Sequence, residues 1–155
     1  MKREILIFRH FPTEGPGYFA RFLDRQGLAH RTIKIDEGEP VPESIADIAG
    51  LVFMGGPMSV NDPLPWIPKV LRLIRQAVAA DIPVLGHCLG GQLLSKALGG
   101  RVRGNRAKEF GWLPVMAVDS ALTSTWLNGL PPHFEVFHWH GETFSVPPGA
   151  TRILE

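Results

Sequence analysis

One cysteine, Cys88, occurs in 155 residues, so the chain cannot close an internal disulfide. That usage fits a reducing compartment, and a cytoplasmic location is expected. An excess of charge is also lacking: 16 Lys and Arg against 15 Asp and Glu leave a formal net charge of +1. Such a balance gives no reason to expect nucleic acid or an anionic membrane as a partner. No apolar run is long enough to cross a bilayer. Ile5-Leu6-Ile7-Phe8 is interrupted by Arg9-His10 too early to be the core of a signal peptide. Repeats, low-complexity tracts and interdomain linkers are missing as well. So are a Gly-Lys-Ser/Thr run and a G-x-G-x-x-G pattern, which argues against reading Gly90-Gly91 as a phosphate cradle.

What remains is a chain with 45% hydrophobic and 20% charged residues, the balance of one globular domain spanning 1–155. Short apolar runs at Ile5 to Phe8, Leu51 to Met54 and Pro83 to Gly86 read as buried strands, and Arg31 to Ile35 alternates as another. Helical spacing is present over Tyr18 to Gln26, Trp66 to Ala80 and Leu89 to Leu98, with Gly27 and Gly99-Gly100 as stop signals. On the second of these, Ile67, Val70, Leu71, Ile74, Ala77 and Val78 form the apolar face. Val41 to Ile48 is polar and suits a short helix. Beyond residue 100 the expectation is strands over Arg101 to Asp119 with a turn near Gly104-Asn105, a short helix over Ser120 to Leu127 and a strand over Phe134 to His140. Alternating strands and helices in the first hundred residues predict an α/β fold, a mostly parallel open sheet with helices on both faces.

The most informative segment is Gly86-His87-Cys88-Leu89-Gly90-Gly91-Gln92, which joins a strand to a helix. A thiol on a tight, glycine-flanked strand-to-helix turn projects from the backbone toward a substrate. The helix N-terminus behind it is expected to favour the thiolate. A buried structural cysteine is the alternative, since free Cys is among the most buried residue types. Gly55-Gly56-Pro57 ends the preceding strand, and both turns are expected at the carboxyl edge of one parallel sheet, where open α/β folds bind ligands. Backbone N–H groups of Leu89 and of Gly55-Gly56 would then form an oxyanion hole.

These residues resemble the class I (triad-type) glutamine amidotransferase family. Gly86-His87-Cys88-Leu89-Gly90-Gly91-Gln92 is similar to its Gly-x-Cys-x-Gly-x-Gln signature, and Met54-Gly55-Gly56-Pro57 to its oxyanion turn. Glu109-Phe110-Gly111-Trp112 resembles the Glu-Ile-Gly-Trp element of GMP-synthase-like stand-alone members, and Trp139-His140-Gly141-Glu142 a later His-Gly-Asp/Glu segment. The resemblance implies a flavodoxin-like fold and hydrolysis of the glutamine γ-amide through a thioester on Cys88, with release of ammonia. It implies Gly56 and Leu89 as oxyanion donors, and Gln92 with the backbone of His140 and Gly141 as glutamine contacts. No cofactor or metal is implied. A synthase domain or subunit would accept the ammonia, and γ-glutamyl peptide hydrolysis is the neighbouring enzymatic reading.

The family's general base, a His in a later His-x-Glu pair, has no counterpart after residue 142, since no His follows His140. His140-Gly141-Glu142 matches the earlier segment instead, and His87 points away from Cys88 as its strand neighbour. The base is therefore expected beyond Glu155, in a domain incomplete at its C-terminus. Two readings from other classes stand beside the enzyme: a catalytically inactive binding module of the same fold, and a thiol redox sensor at Cys88. His138, His140 and Glu142 share one strand face, too weak a pattern for a metal site. His10 and His133 are expected in surface loops, and Trp112, Trp126 and Trp139 in packing.

Overall fold

The protein is described by a computed structural model covering residues 3–155. Four strands form a parallel sheet in the order β2-β1-β3-β4: β1 (Glu4–Arg9), β2 (His30–Lys34), β3 (Ile48–Phe53) and β4 (Val84–Gly86). Three helices connect and cover them: α1 (Gly17–Arg25), α2 (Ile67–Ala79) and α3 (Leu89–Ala97). Alternation along the strands sorts the two faces. Leu6 and Phe8 of β1 and Leu51 and Phe53 of β3 join the larger core with Val70, Leu73, Ile74 and Ala77 of α2 and Leu89 and Leu93 of α3. Ile7 and Val52 face the other way and pack with Leu23 of α1. Helices thus lie on both faces, as the α/β pattern requires.

The helix ends follow from backbone chemistry. Gly27 takes the left-handed conformation (φ +64°) after α1, and Leu28 N–H closes back on the Leu23 carbonyl. Pro68 stands in the first turn of α2, where its missing N–H costs nothing. The buried stripe of α2 includes Leu73 and leaves Val78 exposed, a small rotation from the face expected from spacing.

Three elements depart from expectation. Val41 to Asp47 forms no helix; the chain instead makes one 3-10 turn at Ile35–Glu37, where Arg9 bonds the carboxylates of Asp36 and Glu37 at 2.7 and 2.6 Å. No turn forms at Gly104-Asn105. A single long strand β5 (Val102–Met116) pairs antiparallel with β6 (His133–Phe144), and the irregularity between Gly104 and Glu109 is a bulge within that ladder. Residues 123–126 form a one-turn helix, and Leu154 bridges antiparallel to Ala117 beside the ribbon.

Close packing explains the glycines of the Cys88 segment. A Cβ on Gly90 would strike the Phe53 carbonyl oxygen and lie 2.7 Å from its carbon, and one on Gly86 would lie 2.5 Å from the Gly90 carbonyl group. Strand β4 and helix α3 meet at backbone contact, and only glycine permits it. Replacing Gly90 by Ala should therefore cost about 3 kcal/mol or more, because the obstacle is backbone and not a flexible side chain. Urea unfolding of Gly90→Ala against the parent chain measures this, and a loss under about 1 kcal/mol would contradict the packing argument.

Candidate functional site

The carboxyl ends of β3 and β4 lie side by side, with Phe53 paired to Gly86. The turns that follow therefore emerge together. His87 N–H bonds the Phe53 carbonyl at 2.9 Å, and Gly90 N–H bonds the His87 carbonyl at 2.9 Å, folding the elbow tightly. Between them Cys88 holds φ +52° and ψ −111°, a left-handed conformation that a residue with a side chain rarely adopts. Strain of this kind costs roughly 1–3 kcal/mol and persists where surrounding packing over-determines it. The thiol is exposed, which excludes a sealed structural cysteine.

The site residues named from sequence fall at this edge. The Leu89 N–H lies near enough to the Cys88 sulfur to favour its ionised form. A Cβ on Gly55 would sit 3.7 Å from Cys88 Cβ, and one on Gly56 would sit 3.0 Å from Leu89 Cδ2 and 2.6 Å from Met58 Sδ. A side chain at Gly56 would thus press on Leu89 of the elbow and on Met58, whereas Gly55 lies at ordinary contact distance from Cys88. Gln92, buried in the first turn of α3, donates from Nε2 to the Glu142 carbonyl at 3.5 Å. His140 Nδ1–H donates to that same carbonyl at 3.1 Å. Gln92 and His140 therefore converge on one carbonyl of the β5–β6 ribbon, next in sequence to Gly141.

Three residues at the site carry no role in the sequence reading. Glu14, from the loop after β1, brings Oε2 to 2.9 Å from a Cβ placed on Gly55, and its charge acts on the Cys88 thiol. Ser59 donates to Glu142 Oε1 at 2.9 Å, tying the loop after β3 to the ribbon. Glu109 lies 3.0 Å from His140 Nε2. Each comes from a segment distant along the chain, and a single polar residue in a loop or strand gives no periodic signal. Glu142 is committed to Ser59, so the His138, His140 and Glu142 grouping does not form; Glu109 takes the place of Glu142.

Other expectations are corrected. Although Cys88 is exposed, the protein packed behind its sulfur partly desolvates it and pushes the thiol above the ordinary value; the Leu89 N–H opposes this and the Glu14 carboxylate adds to it. The single Leu89 N–H does not outweigh that desolvation. His10 is no surface residue: it is 2% exposed, stacks on Trp66 at 5.0 Å and donates from Nδ1 to the Met54 carbonyl at 3.1 Å, propping the Gly55-Gly56 turn from beneath. Burial lowers its pKa to about 4. Trp112, Trp126 and Trp139 are largely exposed; on the outer face of the ribbon Trp112 meets Phe137 edge-on, and Trp139 meets Phe110 and Phe137.

Comparison with known proteins points one way. The family model for glutamine amidotransferase class-I matches residues 20–154. A glutamine-hydrolyzing GMP synthase of Aeropyrum pernix is 33% identical over 135 residues, 87% of this chain and 25% of that protein. A glutamine-hydrolyzing GMP synthase subunit of Sulfolobus acidocaldarius is 35% identical over 115 residues, 72% of this chain and 56% of that one. The crystal structure of a glutamine amido transferase from Methylobacillus flagellatus superposes with a TM-score of 0.95 at 44% identity, covering 99% of this chain and 61% of that one. The chain spans less than two thirds of each of these proteins.

Two outcomes follow from the charges at this edge. His10 is held neutral in the fold at about 4 against 6.5 in the open chain, so the unfolded state takes up protons first as pH falls. Stability is complete above about pH 6.5 and declines by about 1.4 kcal/mol per unit towards pH 4, roughly 3 kcal/mol in all. Urea unfolding at pH 7, 5.5 and 4.5 should show this slope, and His10→Phe should flatten it. Glu14→Gln removes the like charge beside the sulfur and should shift the pH profile of Cys88 alkylation by iodoacetamide to lower pH. An unmoved profile would mean that Glu14 does not act on the thiol.

Proposed function

Because the chain belongs to the glutamine amidotransferase class-I family, we propose that it hydrolyses the γ-amide of glutamine on Cys88. The observation that carries this reading is the elbow itself: an exposed thiol on a strained left-handed residue, facing one backbone N–H and flanked by a glycine turn. The thiolate sulfur attacks the γ-carboxamide carbon, and the carbonyl oxygen becomes an oxyanion. The backbone N–H groups of Gly56 and Leu89 stabilise it, each worth about 3–4 kcal/mol in such sites. The C–N bond then breaks, the nitrogen leaves as ammonia after taking a proton, and the γ-glutamyl group remains as a thioester on Cys88. Water attacks the thioester, glutamate is released and the thiol is restored. Gln92 and the backbone of His140 and Gly141 hold the glutamine. The ammonia passes to a synthase, either a domain of the same chain or a separate protein. The Sulfolobus acidocaldarius relative, named as one subunit of a GMP synthase, supports such an arrangement.

The proton is the demanding part. The thiol lies above its ordinary pKa, and burial, the Leu89 N–H and the Glu14 carboxylate are the influences on it, with no imidazole among them. A general base is worth about 10²–10⁴-fold in such a step. We infer that an imidazole contributed from outside residues 3–155 completes the site. The same observation favours a second reading, a non-catalytic module that binds glutamine through this edge.

A glutamine analogue bearing an electrophilic carbon should add covalently to Cys88, with one adduct per chain by mass spectrometry, protection by L-glutamine and none in Cys88→Ser. Its rate should still be rising with pH at about 8.5, where an ordinary thiol is half ionised. Glutamate release from the protein carrying its base should vanish in Cys88→Ala. Release that survives this change would overturn the nucleophile, whereas labelling without any release would select the binding module.

A further inference from the structure

On the inner face of the β5–β6 ribbon, Glu109 and His140 are directly paired across the ladder, and His138 is the next inward position. Their acceptor atoms converge. Glu109 Oε2 lies 3.0 Å from His140 Nε2, His138 Nδ1 lies 3.3 Å from the same nitrogen, and all three lie within 4.8 Å of one another. The tautomer of His140 sharpens this. Its Nδ1–H is given to the Glu142 carbonyl at 3.1 Å, so in the neutral ring Nε2 carries a lone pair. A lone pair, a carboxylate oxygen and a second imidazole nitrogen then face one another at contact distance, a set of donors that a bound cation would satisfy.

We propose that Glu109, His138 and His140 bind a divalent transition-metal ion of the zinc class. Two imidazoles and one carboxylate form a recurring set for such ions, and imidazole selects against calcium and magnesium. The separations of 3.0 and 3.3 Å match neighbouring corners of a coordination shell with bonds of about 2.0–2.2 Å. Outer contacts support two of the three: the second nitrogen of His140 donates to a backbone carbonyl and Asn105 Nδ2 donates to Glu109 Oε2 at 3.5 Å, whereas His138 Nε2 is buried without a partner. Glu109 is only partly covered, leaving an approach from solvent. The bound ion would fix the ring that holds the Glu142 carbonyl, the group also bonded by Gln92. The assignment does not depend on amide hydrolysis.

The test uses the full chain with Cys88→Ser, so that the only thiol cannot serve as a ligand. Calorimetric titration with Zn²⁺ and absorption titration with Co²⁺ should each saturate at one ion per chain, the cobalt adduct showing a visible d–d band. His138→Ala and Glu109→Gln should each weaken binding by about tenfold or more. His87→Ala, an exposed histidine outside the cluster, should leave it unchanged. Circular dichroism checks each fold, and His138→Gln replaces His138→Ala if the latter unfolds. Absence of saturable binding, or binding indifferent to His138→Ala and Glu109→Gln, overturns the site.

Discussion

Backbone contact between the end of β3 and the start of α3 is the constraint on which the site depends. Gly90 rests on the Phe53 carbonyl, and Gly86 rests on Gly90. Those contacts leave no slack between strand and helix, so residue 88 must turn through a left-handed conformation to connect them. The side chain at that position is thereby lifted off the sheet edge whatever its chemistry. Cysteine makes it a nucleophile. The cost of the conformation is met by core packing on both sides, since Leu89 and Leu93 of α3 and Phe53 of β3 belong to one buried cluster.

Around this fixed point the other parts arrive by tethers. His10 props the Gly55-Gly56 turn through the Met54 carbonyl, and its neutral state follows from the same burial that makes the prop rigid. Ser59 links the loop after β3 to Glu142, and Gln92 links α3 to the same residue. The ribbon is therefore held to the sheet domain at the place where the family resemblance puts the substrate. Electrostatics at the sulfur oppose ionisation, because burial and Glu14 together exceed one N–H donor. Such a thiol is stable in the resting protein and gains reactivity when a base takes its proton.

Much of this was legible in the sequence, because apolar periodicity and glycine position are local signals. The parallel sheet, the three long helices and the elbow at Cys88 follow from runs such as Leu51 to Phe53 and from the spacing of Leu89 and Leu93. The remainder depended on partners far along the chain. Gly104 reads as a turn residue, yet β6 supplies a ladder that absorbs it as a bulge. His10 reads as a loop residue, yet Trp66 and Met54 enclose it. The thiol's upward shift required knowing how much protein lies behind the sulfur, and Glu109 joins His138 and His140 only through strand pairing.

The β5–β6 ribbon is anchored to the body by a handful of side-chain bonds, among them Ser59 to Glu142, Ser95 to the Ser145 carbonyl and Asn61 to the Val102 carbonyl, while its outer aromatic face is open to water. A segment with so little buried apolar surface opens at a smaller free energy than the strands beneath it. The molecule therefore has two tiers of protection. Amide hydrogens of the ribbon are expected to exchange through local breathing, and those of β1 and β3 only on global unfolding. The ribbon can loosen while the elbow stays set.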